Sequence, residues 1–313
     1  MRMLRQARYL ADFARFVATK PGQEREDAQA LRELEAAAPV FPDSLEVQWL
    51  GVSGYRMAYE GHTLFIDPYI SRVPLTALLR RQPALPDVSL IEHYLGTPRH
   101  VAGVLVGHTH FDHAVDAPAI ARRFRCPAFG SSSLVALMRL HGAGEHAVGI
   151  EAYRRYELGP FTVSFTPSLH SKLVLGLAVP FDGELSCEHL DALTPGAYRC
   201  GQVWGIRIEV AGVSFYHQGS ANLIDDAIRD RGVDYFLAGV AGRGFTRDYW
   251  RRVIGRLEPH TIVPTHYDDF FRPLQAPMGF TTNVHLARVP DEVRSVSADL
   301  RVAALPLVGT THA

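Results

Sequence analysis

The spacing of apolar residues changes near Pro42. Before it, Leu4, Tyr9, Leu10, Phe13, Phe16 and Val17 recur every three to five positions with Arg2, Arg5, Arg8 and Arg15 between them. That period predicts an amphipathic helix, ended by Pro21-Gly22, and a second helix follows from about Arg25 to Ala37. After Pro42 the period falls to two. Leu45 to Leu50, Tyr55 to Tyr59 and Thr63 to Ile66 read as antiparallel strands, with a turn at Glu60-Gly61 and a strand end at Asp67-Pro68. The stretch from Ser71 to Arg99 is punctuated by proline and partly helical, a candidate cleft wall.

Strands and helices then alternate. The apolar run Val101 to Val106 reads as a buried strand, Asp116 to Phe124 and Ser131 to His141 as helices, and Pro127 to Gly130 as a short strand between them. Further strands are expected at about Glu145 to Ile150, Arg154 to Leu158 and Phe161 to Thr166. A hairpin about Ala211-Gly212 joins Gln202–Val210 to Val213–Tyr216. A helix over Leu223 to Arg229, a strand over Asp234 to Ala238, a helix opened by Thr246 and a strand over Thr261 to Pro264 complete the order. This pattern implies an α/β chain, divided as a helical N-terminal extension (1–40) and one larger domain (41–313) with an irregular, Gly- and Pro-rich insert at about 171–201 that can act as a lid.

The candidate chemistry sits at strand ends. The Val101 to Val106 run stops at Gly107 and empties into His108-Thr109-His110-Phe111-Asp112-His113. Alternate residues of an extended segment point the same way, so His108 and His110 can meet on one cation, while Asp112 and His113 reach a neighbouring position. Imidazole and carboxylate suit zinc, with manganese or iron as competitors. His170 follows the Phe161 strand, His217 and Ser220 follow the hairpin, and His266, with Asp268 and Asp269, follows the last strand.

The His-x-His-x-Asp-His motif resembles the signature of the metallo-β-lactamase fold superfamily, and the likeness extends from about Leu45 to about Phe271. Within that superfamily the sequence looks most like the metal-dependent hydrolase branch that includes ascorbate-phosphate lactonases and N-acyl-phosphatidylethanolamine phospholipase D. The resemblance implies a four-layer αββα sandwich of two mixed β-sheets flanked by helices. It also implies a first metal on His108, His110 and His170, a second on Asp112, His113 and His266, and support of the metal loop by Asp67. One departure matters: most members carry an Asp after the glycine that is Gly219 here, bridging two metals, and this chain has Ser220. A neutral hydroxyl is a poor ligand, so one tight and one weaker site are expected, with His217 as an alternative ligand and Asp268 or Asp269 as orienting groups for His266.

Composition narrows the partners. A formal charge of −1 over 313 residues, with 47% hydrophobic and 21% charged content, gives no basis for nucleic-acid binding and fits a small-molecule substrate. Arg243, in the glycine-rich turn Gly239 to Gly244, and Lys172 are candidate anion contacts, so an anionic substrate is one expectation. Cys126, Cys187 and Cys200 form no CxxC pair and are odd in number, which points to the cytoplasm; a zinc site on Cys187, His189 and Cys200 is a weaker alternative. No apolar run is long enough to span a bilayer and no secretory signal is read, while the N-terminal helix offers an alternative membrane contact or an oligomer contact.

The function that follows is hydrolysis of an ester, lactone or phosphodiester by a metal-bound hydroxide, with Asp112 taking or returning a proton. A mononuclear iron thiol or persulfide dioxygenase on the same fold is the alternative from another reaction class, and a degenerate ligand-binding protein is a third.

Overall fold

The computed structural model describes residues 20–174, 176–282 and 284–309. Helix α1 occupies residues 20–36. It is followed by a first sheet of β1 (Glu46–Gly51), β2 (Gly54–Tyr59), β3 (His62–Ile66), β4 (His100–Leu105), β5 (Ala128–Gly130) and β6 (Ala147–Gly149), hydrogen-bonded in that order. A second sheet carries β7 (Arg155–Leu158), β8 (Phe161–Ser168), β9 (Val203–Val210), β10 (Val213–Gln218), β11 (Tyr235–Gly239), β12 (Thr261–Thr265) and β13 (Arg301–Val302), again in sequence order. Both sheets are mixed: β1 to β3 and β7 to β10 pair antiparallel, while β3 to β6 and β10 to β13 pair parallel. Helices α2 (Leu75–Leu79), α3 (Val88–Leu95), α4 (Phe111–Ala114), α5 (Ala117–Phe124), α6 (Ser132–Leu140), α7 (Tyr249–Leu257) and α8 (Val289–Arg294) complete the expected αββα sandwich.

Two of the hairpins turn where two consecutive residues adopt positive φ. Glu60 and Gly61 sit at 48° and 76°, Ala211 and Gly212 at 52° and 75°, the left-handed pair that a two-residue turn between twisted strands requires. The core is aromatic and branched: Leu50, Phe65 and Leu105 from one sheet and Phe161, Phe165, Phe215 and Phe236 from the other are fully buried. Helix α5 buries Ala117, Ile120 and Ala121 and turns Arg122 and Arg123 outward, as an amphipathic helix on a sheet must.

Several elements differ from the sequence reading. Residues 20–36 are helical throughout, so Pro21 and Gly22 lie within a helix and do not end one; the amphipathic stretch before them falls outside the described residues. Leu31 and Leu34 enter the common core, Asp27 accepts from Ala287 N, and Tyr235 OH donates to Val40 O, so the part of 1–40 that is described packs on the domain. The helix expected over Leu223 to Arg229 is a single 3-10 turn, Asp225–Ala227, whose Asp225 carboxylate pairs with Arg252. Helix α7 begins at Tyr249, because Arg243–Phe245 form a separate 3-10 turn first. The tail beyond Pro273, which had no pattern to read, supplies β13 and α8.

Candidate metal centre

The site collects at the C-terminal ends of strands. β3 delivers Asp67, β4 the histidine-rich loop, β8 His170, and β12 His266; in the parallel parts of each sheet these ends lie side by side. The loop after β4 is pinned by backbone bonds, Trp204 N to Gly107 O at 2.8 Å and Thr109 N to Cys200 O at 2.9 Å. His108 and His110 therefore leave extended backbone toward the cleft before α4 begins at Phe111.

Two adjoining triads result. Ligand atoms of His108, His110 and His170 lie within 4.8 Å of one another, as do those of Asp112, His113 and His266. In the first triad His108 Nε2 is 3.1 Å from His110 Nδ1. His110 Nε2 donates to Pro180 O at 2.8 Å and His170 Nδ1 donates to Ser171 O at 2.7 Å, which leaves His110 Nδ1 and His170 Nε2 as lone pairs. Burial, reinforced by the neighbouring imidazoles, holds His108 well below its usual range and pushes His110 down to about 4 and His170 to about 3. All three rings are thus neutral electron-pair donors at neutral pH, the form that binds a borderline dication.

The second triad carries the charge. Asp112 Oδ2 lies 3.3 Å from His266 Nε2 and 3.7 Å from His113 Nε2. Burial alone would raise the Asp112 carboxyl, but the His113 charge and the His266 hydrogen bond hold it well below the carboxylate range. His113 moves up instead, because Asp112 and Asp67 outweigh the cost of its burial. Its Nδ1 donates to Asp67 Oδ2 at 2.8 Å, and Asp67 Oδ1 takes the Gly107 N–H at 2.6 Å, so one carboxylate orients both a ring and the loop that bears it. The pocket around Asp67 demands glycine at 219, where a Cβ would lie 2.9 Å from Asp67 Oδ2 and 3.0 Å from His113. A buried carboxylate among imidazole lone pairs is a donor set that fits a metal cation.

The remaining predicted residues fall elsewhere. His217 is fully buried with its Nε2 donating to Ser53 O at 2.9 Å, and it joins neither triad, so its place as an alternative ligand is corrected to a strand-end hydrogen bond. Ser220 Oγ accepts from Ser171 N at 3.0 Å. Asp268 does not orient His266 through its ring. It accepts from Val52 N at 2.8 Å and pairs with buried Arg72 at 2.8 Å, while Val52 O receives His266 N at 2.7 Å, so its hold on His266, whose φ is 62°, passes through the backbone. Asp269 caps the local turn by accepting from Phe271 N.

Arg243 is also corrected. Its guanidinium is buried and committed to Glu292, Val240 O, Val284 O and His285 O, so it is not free to hold an anion. Lys172 is exposed and does not line the cleft. Cys187, His189 and Cys200 do not come together as a metal group among the described residues. Beside the triads lies a cleft of 340 Å³, into which the 171–201 insert places Leu173, Val174, Pro180 and Phe181. Phe270, Phe271, Thr281 and Val284 line its far side and had no reading from sequence as pocket residues; the Phe270-Phe271 doublet beside His266 was the available signal.

The sequence profile described as "Beta-lactamase superfamily domain" matches residues 62–268, about two thirds of the 313 residues and both triads. The chain belongs to that family. Membership places it with metal-dependent hydrolases of the metallo-β-lactamase fold. A UPF0173 metal-dependent hydrolase of Cereibacter sphaeroides is 26% identical over 230 residues, 72% of this chain and 87% of that protein. One from Anaeromyxobacter dehalogenans is 28% identical over 272 residues, 82% of this chain and 83% of that protein. Among solved structures, the metallo-hydrolase Igni18 of Ignicoccus hospitalis aligns with TM-score 0.52 at 20% identity, over 86% of this chain and 97% of that one. CmlA, a diiron β-hydroxylase of Streptomyces venezuelae, aligns with TM-score 0.55 at 14% identity, over 86% of this chain and 54% of that one. The last two share the fold.

Proposed function

We propose that this family member hydrolyses an ester, lactone, amide or phosphodiester with a cation, preferably zinc, held by His108, His110 and His170 and a more weakly held one by Asp112, His113 and His266. The observation that carries the reading is the pair of adjoining triads opening on one cleft. A divalent cation bound there supplies Lewis acidity and lowers the pKa of a water toward neutrality.

The chain's own groups do the rest. Pro180 O and Ser171 O fix the tautomers of His110 and His170, and Asp67 fixes that of His113. Asp112, on the cleft wall, receives a proton from the attacking water at Oδ2 and returns it to the leaving group. Ser220 is neutral and turned to Ser171 N, so no carboxylate from this position offsets the repulsion of two adjacent dications, which supports unequal affinities. Metal content of protein purified without added metal, with turnover of an ester and phosphodiester panel, tests the proposal. Zinc near one equivalent and metal-dependent turnover are expected; inactivity with every metal across the panel overturns it.

A second reading is iron-dependent thiol or persulfide dioxygenation, favoured by the two-histidine, one-carboxylate composition of the second triad. Iron in the purified protein and oxygen uptake with a persulfide select it. We also propose a cytoplasmic location from the three free thiols, Cys126, Cys187 and Cys200; among the described residues no helix is long and apolar enough to cross a membrane.

A further inference from the structure

Away from the triads the cleft lining is mainly apolar, with Thr281 and Thr282 as its polar side chains. Among the described residues, apart from the triad residues His110, Asp112, His170 and His266, no titratable side chain lines it, and no Lys or Arg does. Phosphate and carboxylate groups are held by guanidinium, ammonium or free backbone N–H groups. The two cations that sequence had nominated are out of play: Arg243 is spent on Glu292 and three carbonyls, and Lys172 stands outside the lining. In the glycine turn, Val240 N donates to Thr265 O at 3.0 Å and Arg243 N to Val240 O at 3.3 Å.

What the cleft does offer is aromatic surface in contact with both triads. The Phe181 ring meets His110 edge-on at 6.4 Å, and the Phe270 ring meets His266 edge-on at 5.8 Å. Phe271 lies tilted against Phe270 at 4.4 Å and stacks on Phe111 at 6.1 Å, which continues the surface away from the triads. Two apolar side chains are exposed beside it: Val174, in the lining, is 47% exposed, and Leu79, next to the lining residue Leu78, is 72% exposed.

We infer that the substrate is an uncharged carboxylic ester or amide whose acyl or aryl arm is apolar, with the arm against Phe181, Phe270 and Phe271 and the carbonyl at the triads. This rests on the hydrolase reading and narrows it. The water oxygen bonds to the carbonyl carbon, and the C–O or C–N bond breaks with its electron pair on the leaving atom. One water proton ends on that atom, carried by Asp112, and the other leaves with the acid. A phosphodiester's charge would be offset only by cations at the triads, and a charge on the arm would meet no Lys or Arg among the described lining residues.

The test uses the zinc-loaded full chain. Its substrates are p-nitrophenyl esters from acetate to octanoate, the p-nitrophenyl monoester of succinate, and bis(p-nitrophenyl) phosphate. Calorimetry with phenyl alkyl ketones, which cannot be hydrolysed, reads binding separately. The inference expects kcat/KM to rise by about fourfold per methylene over the first few carbons, and the succinate ester and the phosphodiester to fall at least tenfold below the uncharged ester of equal length. Leu78→Glu and Phe271→Ala should each flatten the chain-length dependence and weaken ketone binding about tenfold, and two positions guard against one variant failing to fold. Ketone binding without turnover of any ester or amide would sink the hydrolase reading and leave the apolar ligand standing. Turnover that favours the phosphodiester or the succinate ester, or ignores chain length, would overturn the inference and leave the hydrolase reading standing.

Discussion

Asp67 accepts the His113 Nδ1 proton at 2.8 Å from a backbone conformation, φ 41°, that few residues other than Gly, Asn and Asp adopt readily. Asp67→Asn preserves that backbone and the size of the side chain but presents a weaker acceptor to the ring. We expect the second cation to bind roughly 10–100-fold more weakly, the usual cost of losing an outer partner of a ligating histidine, with the first nearly unchanged. Competition titration with a chromophoric chelator measures both, and an equal loss at the two positions would contradict the division into a strong and a weak site.

Ser220 is the natural place to reverse that inequality. Its hydroxyl holds only the Ser171 amide at 3.0 Å and, at 3.4 Å, the Ser171 hydroxyl. Ser220→Asp would add a negative charge near the triads and relieve the repulsion between two dications. The variant should retain two metals per chain after gel filtration where the parent retains one, read by elemental analysis.

The Arg72 and Asp268 side chains are 2% and 1% exposed and 2.8 Å apart. Removing one partner strands the other's charge in the interior, so Asp268→Ala should cost about 3–5 kcal/mol in urea unfolding. It should also loosen Val52 and, through it, His266. Arg72→Met with Asp268→Leu should recover much of the stability, because a buried pair replaced as a unit leaves no orphan charge.

Arg243 tests structure against substrate binding. Arg243→Met should lower stability by on the order of 2–4 kcal/mol, the smaller part of the range for buried pairs because Glu292 keeps 35% of its side chain exposed. The ratio of kcat/KM between anionic and neutral substrates should stay the same. A selective loss with anionic substrates would return the residue to the binding site.

Acid should weaken the metal-free fold. His110 and His170 titrate at about 4 and about 3 when folded, against 6.5 for the free side chain, so below pH 6.5 the unfolded chain takes protons that the native chain refuses. Their contribution is complete above pH 6.5 and is lost as pH falls toward the native values, at roughly 1.4 kcal/mol per pH unit for each ring. His108 adds to the effect and His113, which is raised, opposes it. Urea midpoints should therefore drop between pH 7 and pH 5, more steeply with metal bound, and a flat profile in both forms would count against neutral buried rings.

The parts of the site that were legible in sequence are those set by short-range rules. Alternation in the loop after β4 placed His108 beside His110, and the resemblance to the superfamily, matched by order along the chain, placed His170 and His266. The rest depended on contacts between distant segments. Nothing near Arg243 indicates that Glu292, on α8, would neutralise it, and nothing near His217 indicates that the Ser53 carbonyl would accept a hydrogen bond from its ring. The stretch from Leu223 to Arg229 read as a helix because the pairing of Asp225 with Arg252, 27 residues away, has no local signature. The tail beyond Pro273 carries no period, since its value lies in lining a cleft and finishing a sheet.

The carbonyl of Pro180 holds the His110 ring from the same insert that places Phe181 against the cleft. A chain change that reshapes this wall for a different molecule will therefore also disturb how the ion is gripped. Diversification of this enzyme toward new chemistry is coupled to retention of its cofactor, and variants selected for altered preference should need a compensating change near the His110 ring.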